Sequence, residues 1–430
     1  MASPSTSSQP SRRFQALADL QNLKRSALHS HYRRKVDDLA DDVHFPELKA
    51  FLPKNLLPWV TGYLKYLFKR KHSFQTYPST GERGVYRLQA ADGGEVVKLA
   101  IAGDWGTGTN EAYRVAAGIS AFTPDYTIHL GDVYYVGDST EVEENCLGKS
   151  EAGYEGVNWP KGQLGSFSLS GNHEMYANGN GYFDLFLPTL GIPSSKDGKQ
   201  LASFFCLEND IWRILALDTG YNSLGMPILS QLPFIKKIPG IAPSCKLEAA
   251  LIEWLRTVVK PKERVRSTIL LTHHQYFSSF EEGYPRPAKQ LMEFLAGQDL
   301  LWIWGHEHRW AVYDKHSDGS LTAYGRCLGH AGMPVEITKP RAPGAPLQYF
   351  DERIYLEDKD TKFGMNGFLN LQIAGDIVTL DHRDVTNRSV LTETFTAGTN
   401  GSIAHSFLNI DAKLSRGSAI PKAALAQAAG

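Results

Sequence analysis

Short apolar runs alternate with polar clusters along most of this chain, and the runs tend to stop at a glycine. Val96–Ala102 is apolar except for Lys98 and ends at Gly103. Residues 126–130 end at Gly131, 166–169 stop before Gly171, 267–271 stop at Thr272, and 300–304 end at Gly305. Runs of this length read as buried strands. Between them, residues 111–122, 246–259 and 287–295 carry helical periodicity. Residues 204–207 and 211–217 read as a hairpin around Asn209-Asp210, with further strands over 321–328, 368–373 and 377–380. The pattern predicts an α/β domain with antiparallel additions over residues 85–385, with residues 386–430 as a C-terminal extension.

The N-terminal 84 residues have a different character. Residues 11–43 read as a charged helix. Residues 56–71 read as an amphipathic one, in which Leu56, Val60, Tyr63, Leu64, Leu67 and Phe68 form a stripe beside Lys65, Lys69, Arg70 and Lys71. Charge follows the same division. Residues 1–72 carry a net +7 and the remainder a net −8, inside a total of −1. An acidic bulk does not suit a sequence-independent nucleic-acid binder, but it suits a domain that holds cations. A basic amphipathic helix can lie on an anionic membrane surface. Docking of its stripe on the main domain is the expectation favoured here. No apolar run approaches the ~20 residues of a membrane span, and there is no signal-peptide pattern. The four cysteines form no CxxC. A reduced, cytoplasmic protein is therefore expected.

The polar clusters at the strand ends carry the chemistry. They read Gly103-Asp104-Trp105-Gly106, Gly131-Asp132-Val133-Tyr134-Tyr135, Gly171-Asn172-His173-Glu174, Thr272-His273-His274 and Gly305-His306-Glu307-His308. Ligands of open α/β sheets bind beyond the carboxyl ends of the strands. Carboxylates and imidazoles together suit zinc and first-row transition metals. Two ligand sets sharing one carboxylate make the two-metal arrangement of phosphoryl chemistry.

These five ordered blocks resemble the calcineurin-like metallophosphoesterases, and within them the purple acid phosphatase branch. The resemblance spans residues 96–385. It implies a two-sheet αββα sandwich and a binuclear metal centre. Asp104, Tyr135 and His308 would hold one ion, Asn172, His273 and His306 the other, and Asp132 would bridge them. The branch follows from a pair of differences. Gly106 stands where most of the superfamily has a ligand histidine, and Tyr135 stands where the purple enzymes have a ligand tyrosinate. Fe(III) is thereby implied at the Tyr135 site, and Fe(II), Zn(II) or Mn(II) at the other. His173 and Asp132 are the implied catalytic residues, His173 as acid for the leaving group, with a metal-activated hydroxide as nucleophile. His274 competes with His273 for the ligand role; the family's pattern favours His273.

Phosphomonoester hydrolysis is the expected activity. Hydrolysis of diesters, of nucleotides or phospholipid head groups, is the alternative, and a non-catalytic scaffold is a third reading. One departure bears on that choice. Glu281, Glu282 and Gly283 occupy positions where the purple enzymes carry a second histidine, and carboxylates there would repel a dianionic monoester. Arg286 and His330 are candidate substitutes. Residues 137–165, with Glu141, Glu143, Glu144 and Trp159, read as an insertion over the site. A serine/threonine protein phosphatase is disfavoured, since no Asp-Arg-Gly follows the second block.

Overall fold

The strands that end in polar clusters fall into two sheets packed face to face. The computed structural model describes residues 62, 64–66, 69–150, 156–224, 243–341, 344–358 and 361–417. One sheet has seven strands, in the order Ile403–Ile410, Ser389–Ala397, Ile377–Asp384, Gly367–Ala374, Val96–Ala102, Tyr126–His129 and Gly165–Ser168. The other has nine, in the order Val85–Arg87, Phe205–Glu208, Trp212–Ala216, Ser267–Thr272, Asp299–Trp304, Thr322–Leu328, Trp310–Ser317, Leu347–Phe350 and Ser415–Arg416. The last three strands named for the seven-stranded sheet run parallel, as do the central strands of the nine-stranded one. Their carboxyl ends therefore lie on a common edge, which is where the polar clusters sit.

Burial explains why the parallel strands are apolar on both faces. Between the sheets, Leu99, Ile101 and Ile128 pack with Ile214, Ile269 and Ile303. Helices cover the outer faces. Helix Asn110–Phe122 is capped by Thr109, whose side chain accepts from the Ala112 amide. It buries Ala112, Val115, Ala116 and Ile119 on one face. Gly118 lets that face approach closely, because a Cβ there would come within 2.6 Å of the Phe368 ring. On the opposite side, helices Ala249–Trp254 and Pro285–Leu295 bury Leu251, Trp254, Leu291 and Leu295 against Leu270 and Trp302. The result is the expected αββα sandwich.

The expected domain boundary at residue 385 needs correction. Ser389–Ala397 pairs antiparallel with Ile377–Asp384, and Ile403–Ile410 pairs with Ser389–Ala397. Residues beyond 385 are thus two full strands of the seven-stranded sheet. Polar threonines and serines on the solvent face obscure them in sequence, but Leu391, Glu393 and Phe395 point into the core.

A buried ionic network joins the sheets. Arg326 donates from Nε and Nη2 to the Glu393 carboxylate, at 2.7 and 2.5 Å. His382 Nε2 and His405 Nε2 lie 2.9 and 2.6 Å from the same carboxylate. Trp310 donates its indole N–H to His382 Nδ1 at 3.0 Å. That places the His382 proton on Nε2, facing Glu393.

The proposed helix over 11–43 lies outside the described residues, as does much of 56–71. Within the latter, residues 62 and 64–66 are helical. Lys65 Nζ and the Tyr66 hydroxyl reach Asp138 Oδ2, at 3.2 and 3.0 Å. His72 stacks on Phe183 with ring centroids 4.8 Å apart, and Tyr77 donates to the Phe204 carbonyl at 2.7 Å. Among the described residues, no helix is long and apolar enough to cross a membrane. All four cysteines are free and buried.

Candidate metal centre

The centre is assembled from strand ends of both sheets. Asp104, Asp132 and Asn172 follow three adjacent parallel strands of the seven-stranded sheet, and His273 and His306 follow two adjacent strands of the other. Asp104, Asp132 and His306 have φ of 58°, 74° and 66°. Non-glycine residues rarely enter this left-handed region, and such strain clusters at functional sites. The turn it makes aims each side chain across the gap between the sheets. The preceding glycines keep that gap open. A Cβ on Gly305 would stand 2.6 Å from Asp104 Oδ2, and one on Gly171 would strike the Asp132 carboxylate.

The donors converge. Asp104 and Asp132 are 0% and 1% exposed. One ligand atom each from Asp104, Asp132 and His273 lie within 4.8 Å of one another. His273 Nε2 is 3.3 Å from Asp132 Oδ2 and 3.2 Å from Asn172 Oδ1. Its other nitrogen, Nδ1, donates to the Leu130 carbonyl at 2.9 Å. That contact fixes the tautomer that leaves Nε2 available as a ligand. Asn172 turns its amide nitrogen away, toward the Tyr176 hydroxyl at 3.4 Å. His308 Nε2 is 3.5 Å from Asp104 Oδ1, and the His306 amide donates to Asp104 Oδ2 at 2.8 Å.

The phenol in this group belongs to Tyr134, where the sequence expectation named Tyr135. The Tyr134 hydroxyl lies 2.8 Å from Asp104 Oδ1, 3.1 Å from Asp132 Oδ2 and 3.0 Å from His308 Nε2. Tyr135 contributes its backbone: its amide donates to Glu141 Oε1 at 2.7 Å, and its carbonyl accepts from His173 Nδ1 at 2.6 Å. Two adjacent tyrosines satisfy nearly the same spacing, and only the local backbone decides which one turns inward. Gly106 sits where no larger side chain fits, since a Cβ would lie 2.9 Å from Val133 Cα.

The donor set suits cations. Asp104 and Asp132 are buried anions whose nearby positive partners are imidazoles. Burial alone would raise the Asp132 carboxyl pKa, but His273 and His173 hold it well below the ordinary value. The same attraction, against desolvation, raises His273 to about 9. Burial pushes His306 down to about 3, which keeps it a neutral base able to ligate. A site that binds protons this strongly between two carboxylates fits metal ions in their place.

His173 stands beside the centre. Its amide donates to Asp132 Oδ1 at 2.9 Å, and its Nε2 is 3.9 Å from Asp132 Oδ2. With Nδ1 held by the Tyr135 carbonyl, Nε2 faces the gap. Glu141 turns inward and accepts from the amides of Tyr135 and Val136 at 2.7 and 2.8 Å. Trp159 is buried, with its indole N–H donated to Thr127 Oγ1 at 3.1 Å. His330 is buried with its carbonyl held by Asn366 Nδ2, and Arg286 is exposed on its helix. Glu281 and Glu282 line a cleft of about 760 Å³ together with Tyr276, Phe280, Tyr284 and Arg341.

Thr219 escaped the sequence reading. It follows strand Trp212–Ala216 in the cluster Asp218-Thr219-Gly220, the same apolar-run-then-polar signal as the other blocks. Its hydroxyl lies 3.0 Å from His274 Nδ1.

Among curated proteins there is no match to this chain. Among solved structures, a purple acid phosphatase, PPD1, from yellow lupin (Lupinus luteus) seeds is 13% identical with a TM-score of 0.45 over 74% of this chain. The match spans only 56% of the lupin protein. PhoD is 12% identical with a TM-score of 0.44, over 74% of this chain and 73% of that one. GAP50, the anchor in the inner membrane complex of Plasmodium, is 11% identical with a TM-score of 0.43, over 72% and 91%. Residues 97–310 match the family model of the calcineurin-like phosphoesterases. That span takes in every strand-end block from Asp104 to His308, and the chain belongs to the calcineurin-like phosphoesterase family.

Proposed function

We propose that this protein hydrolyses phosphate monoesters at a two-metal centre of the purple acid phosphatase kind. The observation that carries the reading is the convergence of Asp104, Asp132 and His308 on the Tyr134 phenol, with Asn172, His273 and His306 on the other side of Asp132 and Asp104. Asp104, Tyr134 and His308 would hold one ion, Asn172, His273 and His306 the other, with Asp132 between them. Two bound cations supply Lewis-acid polarisation of the phosphoryl oxygens and lower the pKa of a water. The chain supplies the rest. Asp132 fixes the spacing of the two ligand sets and accepts the His173 amide. His173, with its Nδ1 proton committed to Tyr135, presents Nε2 to the leaving oxygen. Burial lowers its pKa, so the form that carries the Nε2 proton is populated toward acid pH.

Leaving-group dependence tests the role of His173. His173→Asn is expected to slow an alkyl phosphomonoester by about 10²–10⁴-fold. An aryl ester, whose leaving oxygen needs no proton, should slow much less. Equal losses on both esters would remove His173 from the acid role.

The phenol assignment has its own signature. With Fe(III) bound, Tyr134→Phe is expected to abolish a visible phenolate-to-iron absorption that Tyr135→Phe leaves in place. The opposite pattern would return the role to Tyr135.

Diester hydrolysis is the second reading, favoured by Glu281 and Glu282 on the wall of the adjoining cleft. Carboxylates there disfavour a dianion more than a monoanion. Comparing an aryl monoester with its diester separates the two. Monoester preference supports the proposal. Diester preference that reverses in a Glu281→Gln, Glu282→Gln variant assigns the filter to those residues and the activity to diesters.

A further inference from the structure

We propose that His274 is an additional ligand of the second metal position, which makes that position a three-imidazole site with His273 and His306. The inference rests on the two-ion reading above. The family's pattern of blocks gives His274 no role, and a packing residue at this place would not need a nitrogen.

The geometry gives that nitrogen a use. His274 is 2% exposed. Its Nδ1 lies 3.0 Å from Thr219 Oγ1, and the same oxygen accepts the His274 amide at 3.1 Å. One threonine hydroxyl therefore holds both the backbone and the ring. A hydroxyl or carbonyl on one imidazole nitrogen is how proteins orient the other toward a metal. Nε2 is the nitrogen left over. One ligand atom each from His273, His274 and His306 lie within 4.8 Å of one another. The His274 ring is 4.5 Å from that of His306 and 4.8 Å from that of His273, and Tyr284 closes its outer side at 5.0 Å. His273 and His274 are buried and His306 is half-buried, so three imidazole nitrogens converge where little water reaches them. Phenylalanine would pack in this place without a polar nitrogen. A shared ion satisfies all three nitrogens at once. The chemical consequence is selectivity. A nitrogen-rich second position favours zinc over harder ions such as magnesium, while the phenolate and carboxylates of the first position keep its preference for a hard trivalent ion.

The test uses the full chain, stripped with chelator and titrated with zinc and, separately, cobalt(II). Wild type, His274→Phe and Thr219→Val are compared. Zinc bound per chain is measured in competition with a chromophoric chelator, and the cobalt absorption bands report coordination. Wild type is expected to take two ions. His274→Phe should weaken only the weaker-held zinc, by at least the ~10–100-fold that losing an outer partner costs, and should change the cobalt bands. Thr219→Val should move the same ion in the same direction by less. Melting of the ion-free proteins checks folding. If His274→Phe does not fold, Thr219→Val decides: unchanged affinity for both ions overturns the assignment. A folded His274→Phe with two zinc ions held as tightly as in wild type and unchanged cobalt bands overturns it too. Wild type that takes up no ion overturns the two-ion reading itself.

Discussion

Replacing Arg326 with leucine is expected to lower the free energy of unfolding by about 3–5 kcal/mol, the scale for removing one partner of a buried ion pair. Arg326 and Glu393 are both fully buried and face each other across the two sheets. Without Arg326, the carboxylate keeps only the His382 and His405 contacts in a dry interior. Arg326 also donates to the carbonyls of Tyr313 and Gly325, at 2.7 and 2.6 Å, and those acceptors would lose their donor. Urea unfolding at neutral pH measures the loss. Replacing Arg326 and Glu393 together with apolar residues should cost less than replacing Arg326 alone, because no charge is then stranded.

The pH dependence of that contribution has a definite sign. Burial would raise the Glu393 carboxyl, but Arg326 and the hydrogen bonds from His382 and His405 hold it well below its ordinary 4.5. A depressed folded-state pKa contributes stability that is complete above about 4.5 and is lost as pH falls toward the folded value. In Arg326→Leu the carboxyl is no longer held down. The penalty of the substitution should therefore shrink in acid, where the stranded carboxylate takes up a proton. A penalty that grows as the pH falls would contradict this account of the network.

Asp132→Asn should produce the largest loss of activity. Asp132 touches a side chain of each ligand set, Tyr134 on one side and His273 on the other. It also fixes His173 through the backbone amide. The neutral amide keeps the shape and removes the charge. Activity should fall by more than the ~10²–10³-fold that removing a single electrostatic contact costs, with the ion count per chain falling as well. Asp132→Asn with full activity and two bound ions would contradict the shared-ligand role.

Much of the site was legible because its physics is local. A buried parallel strand needs a run of apolar residues, and the turn that ends it needs glycine beside a short polar residue, so Gly103-Asp104, Gly131-Asp132 and Gly305-His306 mark their own places. What was not legible depends on contacts distant in sequence. The choice of Tyr134 over Tyr135 is made by a backbone held between Glu141 and His173. The pairing of His274 with Thr219 joins residues 55 positions apart. The strands Ser389–Ala397 and Ile403–Ile410 alternate polar with apolar and look like an extension until the neighbouring strand Ile377–Asp384 gives them an edge. Glu141 reads as one acid among several in a loop, yet it is the carboxylate that ties down the metal-site backbone.

The central claim is that the Asp104–His308 cluster hydrolyses phosphate esters with bound metal ions. The most direct test strips the full chain of metal and follows hydrolysis of an aryl phosphomonoester and its diester as ions are returned, with Asp132→Asn alongside. The account predicts no turnover without ions, recovery that saturates at two ions per chain, and almost none in Asp132→Asn. Turnover that persists through chelation and survives Asp132→Asn would contradict it.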